Sequence, residues 1–296
     1  MTDQQEQPAQ QPQRRRGFYN YKAFVIISVL VFFLCIGILV NSFITTGDFA
    51  KRGLELKGGT VVSVNLQSPV DTKSLKSSLS ATFPEIDIKE VRGISGYEVS
   101  LELSADADTN KVLAELNKLG ISTEKYSIRS VGAALGASFF QQVQVGLIAS
   151  FILMSIVVFI MFRAYAPSIA VIMSAVFDIV ETLAIMQILN INLTLPSFAA
   201  LLMLVGYSVD TDILLTSRVT KNQSIPIPER VKGAFKTGMT MTLTTSAALT
   251  VLLLSNLSPI LSEIASVILI GLAVDTINTW IQNVAIIRGY AEKKGL

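Results

Sequence analysis

Six long apolar runs divide this chain of 296 residues, and they restrict it to a fold embedded in a membrane. A helix rises ~1.5 Å per residue, so each run is long enough, or nearly so, to cross a hydrocarbon layer ~30 Å thick. The composition agrees, with 51% hydrophobic and 16% charged residues, against about 25% charged in soluble domains. The runs cover residues 23–44, 139–162, 168–189, 196–217, 239–257 and 259–287. The sequence therefore predicts a polytopic α-helical membrane protein with six transmembrane helices.

The segment between the first and second runs has the composition of a water-exposed domain, with eleven Lys or Arg and twelve Asp or Glu over residues 45–132. Its pattern predicts a strand at 60–66, a helix at 70–82 capped by Asp71, strands at 85–91 and 97–103, a helix at 108–119 ended by Gly120, and a strand at 124–131. This β-α-β-β-α-β order is typical of a ferredoxin-like fold. We therefore expect a ferredoxin-like α+β extracytoplasmic domain over 45–136, between the first and second helices.

The basic residues predict which side of the membrane each loop faces. Arg14, Arg15 and Arg16 precede the first run, and Lys293 and Lys294 follow the last, whereas the short loops near Asn192 and Ser258 carry no Lys or Arg. Because cytoplasmic loops are enriched in Lys and Arg, we expect both termini in the cytoplasm. The predicted domains are a disordered tail at 1–22, the first helix at 23–44, the outer domain at 45–136, a five-helix bundle at 137–290 and a tail at 291–296. Residues 225–238 predict a short amphipathic helix on the inner surface.

Several kinds of chemistry are excluded by residue type. The chain has no histidine, which excludes Ser-His-Asp triads and histidine zinc sites, and its one cysteine, Cys35, lies in the first apolar run. The turn Gly58-Gly59-Thr60 precedes a strand and not a helix, so it lacks the helix N-terminus of a phosphate-binding loop. We expect no cofactor, no metal, no nucleic-acid partner and no enzymatic activity.

Five carboxylates fall inside the apolar runs, and they are the candidate functional residues. A charge at the centre of a bilayer costs at least ~2.5–3.5 kcal/mol, so such residues usually face the interior of a bundle or a proton path. Counting residues from the cytoplasmic ends places Asp178, Asp210 and Asp275 at ~15, ~10 and ~12 Å, nearly one level. The set of proton-coupling candidates is Asp210, Asp275, Asp178, Asp212 and Glu181.

The orientation of these carboxylates follows from helical periodicity. Asp212 lies some 200° around the helix from Asp210, so we expect it to face another surface or to reach toward the membrane interface. Glu181 is one turn from Asp178 and is expected on the same face. Uncharged polar residues complete the predicted polar core of the bundle: Thr242, Thr245, Ser246 and Asn278. Such a cluster is suited to exchange protons. In the alternative interpretation, the acids serve only helix packing.

Two motifs and the topology together resemble a known family. The string GLELKGGT follows the first span, and VGYSVDTDILLTSRV lies in the fourth. Over about residues 17–290 the chain resembles the SecF branch of the SecD/SecF protein-export family, within the RND superfamily, and its details look archaeal. Bacterial relatives read Asn-Asp-Thr after Gly-Tyr-Ser, where this chain has Asp210-Thr211-Asp212, and an arginine that they carry at the start of the fifth span matches Thr237. Asp210 aligns with an aspartate of the related SecD motif.

The resemblance implies a function and a set of partners. It implies assembly with SecD, association with the SecYEG translocon, and use of the proton motive force to help export a translocating polypeptide across the cell membrane. The residues leave three alternatives open: an RND-type transporter of lipids or small molecules, an intramembrane aspartyl protease that uses Asp178 and Asp210, and a passive scaffold for SecD.

Overall fold

The computed structural model describes residues 21–296 except 67, 69, 84, 85, 94, 95, 105, 106, 124, 222, 223 and 256. The predicted N-terminal tail lies outside the described residues, apart from Tyr21 and Lys22, which begin the first helix. The helices are α1 (Tyr21–Thr46), α2 (Leu54–Lys57), α3 (Thr72–Ser80), α4 (Thr109–Lys118), α5 (Ala133–Phe162), α6 (Tyr165–Ile188), α7 (Leu195–Lys221), α8 (Ile227–Ser255), α9 (Pro259–Ile277) and α10 (Val284–Lys294), with a π-helical turn at Asn278–Asn283. The strands are β1 (Gly59–Leu66), β2 (Asp87–Gly93), β3 (Gly96–Leu103) and β4 (Tyr126–Val131).

Six helical segments in the described part of the chain are long and apolar enough to span a membrane. They are α1, α5, α6, α7, α8 and the continuous segment formed by α9, the π-helical turn and α10. The prediction of six transmembrane helices is confirmed. The separate amphipathic helix predicted over residues 225–238 is not present, because α8 runs without a break from Ile227 to Ser255. Pro228 is tolerated there because the first turn of a helix leaves its N–H groups unpaired in any case.

The middle of the bundle is formed by α6, α7 and α9, whereas α1, α5 and α8 lie at its periphery and are mostly exposed. Val171 and Ala175 of α6, Leu204 of α7, and Ile268 of α9 are almost fully buried in one apolar cluster. The packing of α9 on α7 is close, since a Cβ added at Gly271 would lie 2.3 Å from Leu204 Cδ2. A side chain at position 271 would therefore separate the two helices that carry most of the polar interior.

The outer domain is a four-stranded antiparallel sheet with strand order β2-β3-β1-β4. Its elements follow the predicted β-α-β-β-α-β order, and apolar residues of the sheet pack with those of α3 and α4 in one core. Asp71 caps α3 by accepting a hydrogen bond from the Lys73 amide at 3.0 Å, as predicted. Gly120 follows α4 with φ +77°, a conformation that favours glycine. These features support the ferredoxin-like interpretation of this domain.

A short backbone clasp joins the base of the outer domain to the loop between α6 and α7. The Gly53 amide donates to the Leu193 carbonyl, and the Leu193 amide donates to the Lys51 carbonyl, each at 2.7 Å. Glu55 Oε2 accepts a hydrogen bond from the Leu195 amide, the first residue of α7, at 3.2 Å. Because the first N–H groups of a helix have no intrahelical partner, Glu55 caps α7 from another part of the chain. The clasp therefore ties the outer domain to the helix that carries Asp210 and Asp212.

Candidate functional site

A layer of buried polar side chains crosses the middle of the bundle, where α6, α7 and the last span meet. Its members are at most 5% exposed and repeat at helical spacing on each element. They are Ser174, Asp178, Glu181 and Thr182 on α6, Ser208, Thr211, Asp212 and Thr216 on α7, and Asp275, Asn278, Thr279, Gln282 and Asn283 on the last span. Because polar groups are expensive to bury in an apolar setting, this concentration indicates a functional region.

The first part of the layer centres on Asn278, whose side-chain amide donates to two carboxyl groups. Asn278 Nδ2 lies 2.9 Å from Asp178 Oδ1 and 3.0 Å from Glu181 Oε2. Ser208 Oγ on α7 donates to the other Asp178 oxygen at 2.5 Å. An amide group carries two N–H donors, so Asn278 donates one to each acid, while Glu181 Oε1 is buried without a partner among the described atoms. The expected pairing of Asp178 with Glu181 on one face of α6 thus takes the form of a shared amide partner.

The second part of the layer centres on Thr279, which lies between two aspartates from different helices. Thr279 Oγ1 is 2.9 Å from Asp212 Oδ1 on α7 and 3.0 Å from Asp275 Oδ1, one turn earlier on its own span. Asn283 Nδ2 also donates to Asp212 Oδ1, at 2.6 Å. The second oxygens of Asp212 and Asp275 are buried without a hydrogen-bond partner among the described atoms.

The acids of this layer have neutral polar partners and no cationic one in the described part of the chain. The ion pairs found there involve other residues, such as Asp48 with Arg52 and Asp87 with Lys76 in the outer domain. Asp178, Asp212 and Asp275 are fully buried, and the hydroxyls of Ser208 and Thr279 connect them across α6, α7 and the last span. Buried acids without a cationic partner inside a membrane bundle are typical of proton paths.

A π-helical turn shapes the last span at the level of the acids. It covers Asn278–Asn283 and directly follows the α-helical part that carries Asp275. Asn278, Thr279, Gln282 and Asn283 are all buried. π-helical turns are rare in proteins, and those that occur are often found at functional sites. The wider turn changes which side chains share a face of the helix. Here four neighbouring polar side chains point into the bundle from one turn.

Asp210 and Asp212 have the reverse of the orientations expected from sequence. Asp212 is 0% exposed and joins Asp275 and Thr279 in the interior, whereas Asp210 lies on an exposed face of α7. The two residues do occupy opposite sides of the helix, as periodicity requires. The expectation was wrong about which side faces inward, because it rested on the depth of Asp210 and did not use the stripe of Ser208, Thr211 and Asp212 that marks the packed face. The exposed residues around Asp210 form what we call the α7 outer stripe: Ala199, Met203, Gly206, Tyr207 and Asp210.

The other predicted residues of the polar core differ in their contacts. Asn278 is a central partner of the acids, as described above. Thr242 on α8 is 9% exposed, and Thr245 and Ser246 are half-buried. In the described part of the chain no hydrogen bond joins these three hydroxyls to the carboxylates. The predicted hydroxyl stripe of α8 therefore lies beside the acidic layer without bonding to it.

The turn Gly58-Gly59-Thr60 is a packing element between the outer domain and the start of α5. Gly58 and Gly59 have φ values of +83° and +153°. A Cβ at Gly58 would lie 2.6 Å from Ala133 Cα, and one at Gly59 would lie 2.6 Å from the Leu103 carbonyl oxygen. Thr60 Oγ1 is 3.0 Å from Ser130 Oγ on the neighbouring strand β4. The glycines thus allow a close approach of backbone to backbone that a larger residue would prevent.

Sequence reasoning missed three partners of the acids: Ser208, Thr279 and Asn283. A signal for two of them was present, because Asp275, Thr279 and Asn283 recur at i, i+4 and i+8 on the last span. Ser208 likewise precedes Asp212 by four residues. Residues at this spacing lie on one face of a helix, so the stripes mark the inward faces.

Comparison with known proteins places these features in a family. The family described as "Protein export membrane protein SecD/SecF, C-terminal" matches residues 111–293. The protein-export membrane protein SecF of Pyrococcus furiosus is 35% identical over 92% of this chain and 92% of its own length. That of Methanothermobacter thermautotrophicus is 39% identical over 82% of this chain and 85% of its own length.

A solved structure has a similar fold. The crystal structure of SecDF from Thermus thermophilus, a translocon-associated membrane protein, matches with a TM-score of 0.75 at 21% identity. The match covers 92% of this chain and 38% of the SecDF chain. The chain therefore spans well under half the length of that protein, and the similarity concerns the fold.

Proposed function

Because the chain belongs to the SecD/SecF family of protein-export membrane proteins, we propose that it is a SecF subunit that assists the export of polypeptides across the cell membrane. The identity of 35% over nearly the whole length of a relative named SecF supports this proposal. The described part of the chain also has six helices able to span a membrane and an outer domain after the first of them, which agrees with the fold similarity to SecDF.

The proposed topology places both termini in the cytoplasm and the domain over 45–136 outside it. Arg163 between α5 and α6, and Arg218, Lys221 and Arg230 around the α7–α8 connection, are then on the cytoplasmic side. This arrangement agrees with the enrichment of Lys and Arg in cytoplasmic loops. The domain boundaries expected from sequence, with a bundle over 137–290 and a tail over 291–296, belong to the same proposal.

The proposed energy source is the proton motive force, and the buried acidic layer carries this proposal. Asp178, Glu181, Asp212 and Asp275 are buried on three helices, and their hydrogen-bond partners are neutral. Acids in such a setting are costly to keep and are typical of proton relays. Moving one elementary charge through 100 mV supplies ~2.3 kcal/mol, which is enough to change the relative populations of two arrangements of packed helices.

The proposed direct partner is SecD, and the α7 outer stripe is its proposed contact. Asp210 lies seven residues before residue 217, where the apolar run ends, or ~10 Å along the helix, so it is inside the span. A carboxylate at that depth on a surface that this chain leaves uncovered needs a polar partner from outside the chain. Gly206 and Ala199 on the same stripe are small, which lets another helix approach closely. Association with the SecYEG translocon and with the translocating polypeptide belongs to the same proposal.

The test is the export of a secreted protein in cells that carry Asp212→Asn, Asp210→Asn or Thr250→Val, with the amounts of this chain and of SecD measured alongside. Thr250 is an exposed residue on α8 whose hydroxyl bonds to its own helix, so it serves as the control. We expect Asp212→Asn to reduce export while both proteins remain assembled, because it removes a titratable group and keeps the shape. Unchanged export in Asp212→Asn would favour a scaffold for SecD, and release of SecD in that variant would indicate a purely structural role.

A further inference from the structure

The hydrogen bonds around Thr279 restrict the protonation of the two aspartates beside it. A threonine hydroxyl has one hydrogen and therefore donates one full hydrogen bond, but it accepts through its lone pairs. Thr279 Oγ1 is within 3.0 Å of both Asp212 Oδ1 and Asp275 Oδ1. If both carboxyls were ionised, one of these contacts would bring a bare anionic oxygen against the hydroxyl oxygen without a hydrogen between them.

Among the described residues, no positive charge lies beside the two aspartates to relieve this conflict. The groups beside the pair, apart from Thr279, are the acid Asp178 and the neutral side chains Ser174, Ser208 and Asn283. Asp212 Oδ2 and Asp275 Oδ2 are buried without a partner among the described atoms. An unpartnered oxygen is far cheaper to bury when it is the carbonyl oxygen of a neutral acid than when it belongs to a carboxylate.

We infer that Asp212 and Asp275 share a proton through the Thr279 hydroxyl, which positions it between α7 and the last span. This inference rests on the proposed proton-coupled function and names the residue at which two helices exchange the proton. In one state Asp275 is protonated and donates from Oδ1 to Thr279 Oγ1, and Thr279 donates its own hydrogen to the Asp212 carboxylate.

The exchange is balanced in atoms and charge. The Asp275 proton moves to Thr279 Oγ1, and the original Thr279 hydrogen moves to Asp212 Oδ1. The hydroxyl is restored, Asp275 becomes the carboxylate, and the pair keeps one proton and one negative charge. The hydrogen that Thr279 has received already points at the Asp275 carboxylate, so the hydroxyl donates to Asp275 without rotating. Because Asp212 and Asp275 lie on different helices, the exchange changes which helix carries the charge.

Infrared spectroscopy of the purified full chain tests the inference, since a protonated carboxyl group has a C=O stretching band separate from that of a carboxylate. We expect such a band in the unmodified protein. Either Asp212→Asn or Asp275→Asn should remove the same band, because the asparagine replaces the protonated partner and leaves the other aspartate ionised. Thr279→Val should shift the band, since the acid loses its hydrogen-bond partner, and Thr279→Ser should restore it.

Thr276→Val is the matched control. Thr276 lies three residues before Thr279 on the same span, is half-buried, and bonds through its hydroxyl to the Leu272 carbonyl of its own helix. It should leave the band unchanged. If Thr279→Val does not accumulate as folded protein, the two asparagine variants and Thr279→Ser still decide the question.

Three results would overturn the inference. The first is that no protonated carboxyl band depends on Asp212 or Asp275. Both side chains would then be carboxylates that share the Thr279 hydroxyl. The second is a band for each aspartate that survives replacement of the other. The third is an unshifted band in folded Thr279→Val. The infrared spectra do not depend on export activity, so the two proposals can fail separately. If the spectra are as expected but Asp212→Asn leaves export unchanged, only the proposed coupling of the proton to export is contradicted.

Discussion

The two faces of α7 each carry an aspartate, one buried in the bundle and one exposed on its surface. Asp212 is buried and accepts hydrogen bonds from Asn283 and Thr279, while Asp210, two residues earlier, lies on the exposed outer stripe. Both acids are inside a membrane span, so both need compensation for the loss of water. The described residues supply hydrogen bonds to Asp212, and we propose that another molecule supplies the partner of Asp210. On this proposal the inner face is a site within the subunit, and the outer face is a site that an assembly completes.

The largest expected difference between the faces is in the stability of the isolated chain. Asp212→Leu leaves the Asn283 amide and the Thr279 hydroxyl without a buried acceptor, so we expect the free energy of unfolding in detergent to fall by about 1–3 kcal/mol. Asp210→Leu should change it by no more than about 0.5 kcal/mol, because its side chain is exposed. Denaturant-induced loss of the helical circular dichroism signal measures both. An equal loss for the two variants would contradict the distinction between the faces.

Close packing on the inner face predicts a second destabilising change. A Cβ at Gly271 of α9 would lie 2.3, 2.6 and 2.9 Å from three atoms of the Leu204 side chain on α7. Because overpacking a core typically costs about 1–3 kcal/mol, Gly271→Ala should lower the free energy of unfolding by that amount. Leu204→Ala in the same chain should partly restore stability, since it removes the atoms in conflict. Additive losses in the double variant would show that these helices do not meet as described.

The sequence predicted the large features because hydropathy and helix length determine them. Six spans follow from apolar runs that match the thickness of a bilayer, and the outer domain follows from alternation, from the cap residue Asp71 and from the glycine at position 120. The continuous α8 was missed because residues 225–238 are polar enough to suggest a surface helix. A helix can continue across the membrane boundary, because intrinsic helix propensity does not depend on where the membrane begins.

The faces of α7 could have been assigned from its own polar residues. Ser208, Thr211 and Asp212 lie on one side of the helix at i, i+3 and i+4, and Asp210 lies on the opposite side. The stripe of Asp275, Thr279 and Asn283 on the last span holds the same information, because an aspartate on α7 needs donors at the same level. The π-helical turn at Asn278–Asn283 has no sequence signature that we recognise. A comparison of polar stripes between spans therefore indicates the inward face of a helix better than the position of a single carboxylate does.

On the outer face, the strongest test uses the proposed partner. Asp210→Leu should weaken the association with SecD about threefold to twentyfold, since hydrogen bonds between membrane helices contribute about 0.6–1.7 kcal/mol. Asp210→Asn, which keeps both polar atoms, should retain most of the affinity. The amount of SecD that co-purifies over a dilution series measures the effect, with Thr250→Val on α8 as the control. Full association in Asp210→Leu would mean that SecD covers another face.

The smallest expected effect is also the most specific, because it should have opposite signs in the isolated chain and in the assembly. Gly206 lies one turn before Asp210 on the outer stripe, and an added Cβ would meet no atom within 4 Å. Gly206→Ala should therefore stabilise the isolated chain by up to about 1 kcal/mol, because alanine favours a helix over glycine. In the presence of SecD the same methyl group should hinder the close approach that a small residue permits, and association should weaken. Increased stability together with unchanged association would contradict a helix packed on Gly206 and would restrict the contact to the neighbourhood of Asp210.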